Sequence, residues 1–142
     1  MNKHYVYLAG GIAGLSIEEH NGWRIQFEEL ISNADMWDKV SVFNPVSHIE
    51  DLHPDRMDEK QAMDYDLNML RRSDLIIMNF NNPNSIGTAC ELGIAYDRRI
   101  PILGLNLEKY ELHPWPCMMC HKIFTDWNSM VEYFIKHFYN EW

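Results

Sequence analysis

The sequence predicts an α/β fold with a doubly wound, mostly parallel five-stranded sheet and helices on both faces. Short runs of β-branched and aromatic residues alternate with longer segments of helical periodicity along the 142 residues. Some of these runs are apolar throughout, which is typical of strands covered on both faces. This alternation favours a parallel sheet. A chain of this length builds one hydrophobic core, so we expect a single domain over residues 1–142.

The first strand, first helix and second strand are predicted from local signals. The run "YVYLAG" at residues 5–10 ends in glycine and predicts a strand. Ser16 and Glu19 have the spacing of a capping box, which marks the start of a helix. Apolar residues then follow at helical spacing: Trp23, Phe27, Leu30 and Ile31. The run "VSVFNP" at residues 40–45 predicts the second strand, closed by its proline.

The middle of the chain predicts a loop, two helices and a strand. Residues 46–57 are polar and rich in histidine, so we expect a loop there. A helix then begins at Asp58, and its buried face carries Ala62, Tyr65, Met69 and Leu70. The apolar run "DLIIMNF" at residues 74–80 predicts the third strand. "GTACELGIAYDRR" at residues 87–99 predicts a helix that the following proline stops.

The last elements complete a flavodoxin-like or similar doubly wound sheet, because right-handed crossovers exclude most other topologies. "IPILGL" at residues 100–105 and "HKIFTDW" at residues 121–127 predict the last two strands. Asp126 caps a final helix with these residues facing inward: Trp127, Val131, Phe134, Ile135 and Phe138. Ligands of such sheets bind at the carboxyl ends of the strands. Residues 7–14 and 80–91 lie at those ends.

Composition excludes several classes of function. The net charge is −9 without a cluster of lysine or arginine, which argues against binding to a nucleic acid polymer or an anionic membrane surface. The chain has no run of about 18 apolar residues that could span a membrane. The N-terminal residues lack the pattern of a signal peptide, and three cysteines do not make a disulfide framework. We therefore expect a cytoplasmic protein.

Glu91 is the first candidate for a functional residue, because it lies in a small, apolar, glycine-flanked segment. We expect it in the first turn of its helix, where the helix dipole and free N–H groups stabilise an anion. Charge complementarity at the helix start is the alternative to catalysis. Small neighbours favour catalysis, because they let the backbone approach a ligand closely. These neighbours are Gly87, Thr88, Ala89 and Gly93 around the glutamate and Gly10, Gly11 and Gly14 in the facing loop.

Asp66 and Tyr7 are the next two candidates. Asp66 lies on the helix that leads to the third strand, and its alternative interpretation is a solvated helix face. Tyr7 lies near the carboxyl end of the first strand, and its alternative interpretation is core packing. A tyrosine, an aspartate and a glutamate that converge on a glycine-lined pocket suit glycosidic chemistry. One carboxylate attacks or stabilises the anomeric carbon, and another group protonates the leaving group.

These residues resemble the nucleoside 2-deoxyribosyltransferase superfamily, which includes the 2′-deoxynucleoside 5′-monophosphate N-hydrolases. The resemblance covers residues 5 to about 105 and rests on "VYLAGG", "DLNMLRRSDLIIM" and, most specifically, "SIGTACELGIA". It implies that Glu91 is the nucleophile that attacks C1′ and carries a deoxyribosyl ester. It also implies that Tyr7 orients this glutamate and that Asp66 helps to protonate the leaving nucleobase.

The position six residues before the nucleophile separates the two activities of the superfamily. The transferases usually carry an aspartate there, whereas the monophosphate hydrolases resemble this chain in having a serine, Ser85. A hydroxyl with helix N–H groups favours a phosphate, and an aspartate would repel it. In the first loop the hydrolases usually have a serine and an arginine, where "GGIAGLS" offers only glycine N–H groups and Ser16. His48 is a candidate for contact with the base, and a solvated loop histidine is the alternative.

We expect neither a cofactor nor a metal. "CMMCH" at residues 117–121 matches a haem-attachment pattern, but the chain lacks an export signal. Zinc binding would need a second pair of ligands.

Taken together, the candidate residues and the resemblance predict an enzyme that hydrolyses deoxynucleoside monophosphates. A nucleobase transferase is the first alternative, and a non-catalytic nucleotide-binding module is the second. Its partners would be a small deoxynucleotide or deoxynucleoside and further copies of the chain. The resemblance implies a homodimer or higher homo-oligomer in which residues 112–121 complete a neighbour's site.

Overall fold

The computed structural model describes residues 3–47 and 59–140 and contains the predicted sheet. Five parallel strands lie in the order β2-β1-β3-β4-β5. This order is that of the flavodoxin-like fold, whose switch point lies between β1 and β3. The strands are β1 at His4–Gly10, β2 at Val40–Phe43, β3 at Leu75–Asn79, β4 at Ile102–Leu105 and β5 at Lys122–Phe124. The prediction of the fold class is therefore confirmed.

Helices follow the strands along the chain. They are α1 at Ile17–Asn33, α2 at Glu59–Arg71, α3 at Ile86–Asp97, α4 at Pro114–Met119 and α5 at Trp127–Tyr133. The chain continues from α5 into a π-helical segment at Phe134–Tyr139. The capping box at Ser16 and Glu19 is present with both of its hydrogen bonds. The short α4 was not predicted from the sequence.

The sheet separates two apolar clusters, because alternate side chains of a strand point to opposite faces. Val6 and Leu8 of β1 lie in the cluster that also contains Phe27 of α1 and the C-terminal Phe134. Tyr7 belongs to the opposite cluster, which also contains Leu70, Leu92 and Ala95 of α2 and α3. The face of β1 that α2 and α3 cover is therefore the face that carries Tyr7.

Some details in the middle of the chain also differ from the sequence expectations. β2 ends at Phe43 rather than at residue 45. Residues 45–47 are helical, where the sequence predicts a loop from residue 46, and the rest of that loop lies outside the described residues. Tyr65 is 39% exposed rather than buried, because it packs at the rim of the sheet, tilted against Phe43 with the ring centroids 5.9 Å apart. Within the part of the chain that the structure describes, no helix is both long and apolar enough to cross a membrane.

Candidate active site

Tyr7 occupies the middle of β1 and is fully buried, at 1% exposure. Its ring stacks on Phe43 of β2, with the ring centroids 5.4 Å apart. Its side chain is hydrogen-bonded to the carboxylate of Glu91. Burial, and after it the nearby negative charge of Glu91, raise the pKa of the Tyr7 phenol well above its usual range. The phenol therefore stays protonated and acts as a hydrogen-bond donor.

Glu91 lies in the second turn of α3, and not in the first turn as the sequence indicated. The helix begins at Ile86 with Ser85 as its N-cap, so the free N–H groups of the first turn lie away from this carboxylate. Burial raises the pKa of Glu91 to about 7, and the Asp66 charge adds to this increase, while the hydrogen bond from Tyr7 opposes it. The carboxylate is therefore held by Tyr7 rather than by the helix dipole.

Asp66 is partly buried in the middle of α2 and lies within electrostatic range of Glu91 and Tyr7. Burial raises its pKa to about 6. Its Oδ1 atom is buried and has no hydrogen-bond partner among the residues that the structure describes. Unpaired buried oxygens of this kind are rare in folded proteins. The structure thus brings the three candidates for catalysis together, with one carboxyl oxygen still available to a ligand.

Arg24 is a fourth charged group at this site, which the sequence analysis did not identify. It projects from α1, is 1% exposed, and stacks on the Trp23 ring with its guanidinium carbon 4.8 Å from the ring centroid. Its positive charge acts on Glu91, Tyr7 and Asp66. Burial lowers the pKa of Arg24 to about 10, so the guanidinium stays charged at neutral pH.

Packing requires Gly10, the last residue of β1, and Gly11, the first residue of the loop that follows. A Cβ atom on Gly10 would lie 3.1 Å from the carbonyl oxygen of Asn79, and one on Gly11 would lie 2.9 Å from Cβ of Asn82. The N–H group of Gly11 donates to Oδ1 of Asn81 at 2.8 Å, and Nδ2 of Asn81 donates to the carbonyl of Gly11 at 3.2 Å. The Gly11 N–H group is therefore already occupied. Asn81, which sequence reasoning missed, joins the two loops at the switch point.

Ser85, Gly87 and Thr88 form the start of α3. The hydroxyl of Ser85 accepts a bond from the Thr88 N–H group at 3.4 Å and lies 2.9 Å from the Thr88 hydroxyl. Thr88 is buried, so its hydroxyl group contacts that of Ser85 from the protein interior. Gly87 is exposed, and a Cβ added there would meet no atom within 4 Å. Gly87 lies one turn before Glu91 on the same side of α3.

Residues 114–119, within the segment 112–121 that was expected to complete a neighbour's site, form α4 and lie beside α3 of the same chain. α4 begins after His113, whose Nδ1 accepts a bond from the Trp115 N–H group at 3.2 Å. A groove of about 470 Å³ runs between α3 and α4, and its walls include Ser85, Ile86 and Trp115.

His48, the candidate for base contact, lies outside the described residues. Over residues 3–47 and 59–140, no cluster of three or more His, Cys, Asp or Glu side chains is arranged to hold a metal ion.

The fold and this site together indicate an enzyme that acts on an N-glycosidic bond. Two carboxyl groups with raised pKa values and a tyrosine donor lie near the switch point of a parallel sheet. The family model for nucleoside 2-deoxyribosyltransferase matches residues 6–136. The chain therefore belongs to the nucleoside 2-deoxyribosyltransferase family. A sequence search of curated proteins gives no match.

Solved structures share this fold at low sequence identity. A 2-deoxyribosyltransferase from Bacillus psychrosaccharolyticus superposes with a TM-score of 0.71 and 20% identity over 88% of each chain. A 2-deoxyribosyltransferase from Leishmania mexicana gives 0.64 and 20% identity over 95% of this chain and 99% of that one. A CMP N-glycosidase from Clostridium botulinum gives 0.58 and 23% identity over 93% and 95%. At these identities the similarity establishes the fold alone.

Proposed function

We propose that this protein hydrolyses the N-glycosidic bond of 2′-deoxynucleoside 5′-monophosphates, releasing the nucleobase and 2-deoxyribose 5-phosphate. The observation that carries the proposal is the hydrogen bond between Tyr7 and the Glu91 carboxylate, with Asp66 in electrostatic range. A glutamate packed only for charge complementarity would lie in the first helical turn, whereas Glu91 lies beyond it. A binding module has no need of a nucleophile held in this way.

Glu91 and Asp66 have complementary roles in the proposed reaction. An oxygen of the ionised Glu91 attacks C1′ as the bond from C1′ to the base nitrogen breaks, and the bonding electron pair leaves with the base. Protonated Asp66 gives its proton to the departing base, which leaves neutral. The products of this step are a deoxyribosyl ester on Glu91 and an ionised Asp66. Water then attacks C1′, loses a proton to Asp66 and releases Glu91 as a carboxylate.

Ser85 supports a preference for substrates that carry a 5′-phosphate. As the N-cap of α3 it lies beside the free N–H groups of the first turn, which attract an anion. The Thr88 hydroxyl can donate to Ser85 at 2.9 Å, which leaves the Ser85 proton free to bond a phosphate oxygen. The name of the Clostridium botulinum enzyme, CMP N-glycosidase, is consistent with a nucleoside monophosphate as the substrate.

Base exchange is the second candidate reaction, because the family model and two of the similar structures carry the name 2-deoxyribosyltransferase. In that case a second nucleobase, rather than water, would resolve the ester on Glu91. The chemistry up to the ester is the same, so the two reactions differ only in the acceptor. Dependence on added base therefore separates them.

The experiment incubates wild type, Glu91→Gln and Glu29→Gln with each of the four deoxynucleoside monophosphates and the matching nucleosides, with and without a free base. Glu29 is exposed on α1 and serves as the matched control. We expect wild type and Glu29→Gln to release base from a monophosphate without acceptor, and Glu91→Gln to be inactive. Turnover that requires a nucleoside and an acceptor base would replace hydrolysis with transfer. Tight nucleotide binding without turnover, unchanged in Glu91→Gln, would indicate the binding module.

A further inference from the structure

Within residues 3–47 and 59–140, the guanidinium of Arg24 donates to three backbone carbonyls, two at the end of β1 and one on α1. Its Nε atom donates to the carbonyl of Leu8 at 3.2 Å and its Nη2 atom donates to the carbonyl of Gly10 at 3.1 Å. Its Nη1 atom donates to the carbonyl of His20, one turn earlier on α1. Buried arginines are normally paired with a carboxylate, whereas this one takes three neutral acceptors.

The position of Arg24 follows from the short second strand. β2 pairs with β1 only as far as Phe43, which lies opposite Tyr7. Beyond that point β1 continues to Gly10, and buried carbonyls there need donors. Arg24 supplies donors to two of them. It thereby fixes the segment that follows Tyr7 and leads to the loop of Gly10 and Gly11.

We propose that Arg24 is a positioning residue for the reaction proposed above, which it serves by holding the end of β1 in place and by setting the protonation of the carboxyl pair. The inference rests on that proposed function for its kinetic part only. The charge balance of the site gives the reason. Among the described groups of the site, the charges balance when Arg24 is charged and Glu91 and Asp66 share a single proton. Without that charge, neutrality requires both carboxyl groups to be protonated, and no nucleophile remains.

The groups that face Arg24 from the elements packed around it agree with this charge balance. They are Tyr7 on β1, Asp66 on α2 and Glu91 on α3, with His20 on its own helix. Burial raises the pKa of Glu91 and of Asp66, and the positive charge of Arg24 lowers both. The Tyr7 phenol stays protonated, so it leaves the charge balance unchanged.

The test uses two variants. Arg24→Gln removes the positive charge, and Arg24→Lys keeps the charge but loses the planar set of N–H donors that bonds the backbone carbonyls. Arg71→Met is the control, because Arg71 is exposed at the end of α2. The titration of the Glu91 carboxyl carbon is followed by ¹³C NMR, which needs no turnover, and kcat and KM are measured against pH. In Arg24→Gln we expect the Glu91 titration to move up by about one pH unit. In Arg24→Lys we expect a wild-type titration with kcat lowered about tenfold or more.

Each outcome decides the inference. An unmoved Glu91 titration in Arg24→Gln overturns the electrostatic role, and a wild-type kcat in Arg24→Lys overturns the positioning role. If Arg24→Gln does not fold, Arg24→Lys decides: an upward shift of the Glu91 titration despite the retained charge refutes the proposal, and an unchanged titration with reduced kcat supports it. If wild type releases no base from any substrate, the proposed function fails, while the NMR titrations still test the action of Arg24 on Glu91.

Discussion

The replacement of Tyr7 by phenylalanine tests how the candidate nucleophile is controlled. The substitution removes one hydroxyl group from a fully buried ring and keeps the ring's stacking on Phe43. The hydroxyl is hydrogen-bonded to Glu91 and lowers the pKa of its carboxyl group. Its loss leaves burial and the Asp66 charge, both of which raise that pKa. We therefore expect the pKa of Glu91 to rise.

The size of this rise follows from hydrogen-bond energies. A bond to an ionised group contributes about 1.5–3 kcal/mol and a bond to a neutral group about 0.5–1.5 kcal/mol, so the ionised form loses about 1.4 kcal/mol more. That difference corresponds to about one pKa unit, which moves the pKa of Glu91 from about 7 to roughly 8. At a pH of about 6.5 the ionised fraction, and with it kcat/KM, then falls roughly eightfold.

The assay is the pH profile of kcat/KM for base release by wild type, Tyr7→Phe and Tyr5→Phe. Tyr5 lies two residues earlier on β1 and is 47% exposed, so Tyr5→Phe controls for loss of a hydroxyl group from this strand. In Tyr7→Phe kcat/KM falls roughly eightfold at a pH of about 6.5, and in Tyr5→Phe it keeps the wild-type value at this pH. An unchanged kcat/KM of Tyr7→Phe at this pH, or an equal fall in both variants, would refute the reasoning.

Three further predictions concern the carboxyl groups and the phosphate site. In Asp66→Asn the decline of kcat/KM at high pH disappears, because the group that must be protonated is lost, and the remaining acid limb gives a pKa of Glu91 below about 7, because a charge that raises this pKa is lost. In Ser85→Asp the ratio of kcat/KM for monophosphate over nucleoside falls by about 10–100-fold, while the melting temperature is kept because aspartate is also a good N-cap. Glu91→Gln is more stable than wild type by about 3 kcal/mol above pH 7. In the folded protein Glu91 binds its proton up to a pKa of about 7 against 4.5 ordinarily, so wild type loses stability as pH rises through that window. Denaturant unfolding at pH 5 and pH 8 checks this, and equal stability of the two proteins at pH 8 would contradict it.

The fold was predictable because its signals are local and agree with one another. The apolar strands, the capping box at Ser16 and the alternation of elements all indicate one parallel sheet. α4 was missed because it is short and rich in proline, although the sequence His113-Pro114 contains a helix-start signal in hindsight: a capping side chain followed by proline at the first helical position. The start of α3 was placed one residue late, and Glu91 was expected in the first turn although it is the sixth residue of the helix.

The site was predictable only where a residue type implies its chemistry. Tyr7, Asp66 and Glu91 are the residues expected for glycosidic chemistry, and the structure brings them together. Arg24 gives no such signal. Its partners at the end of β1 are backbone carbonyls that lie beyond the last residue of β1 paired with β2. Asn81 was missed for a similar reason, since it bonds the backbone of Gly11 across the switch point. Contacts of this kind depend on tertiary structure, and no periodicity in the sequence reports them.

The central claim is a covalent deoxyribosyl ester on Glu91, and rapid quenching with mass spectrometry tests it most directly. The enzyme is mixed with the monophosphate it turns over fastest, quenched in acid within milliseconds and digested. We expect the mass of 2-deoxyribose 5-phosphate, less one water, on the peptide that contains Glu91 in wild type and in Glu29→Gln, and on no peptide of Glu91→Gln. Base release by Glu91→Gln at the wild-type rate, with no adduct on this peptide in any sample, would contradict the account.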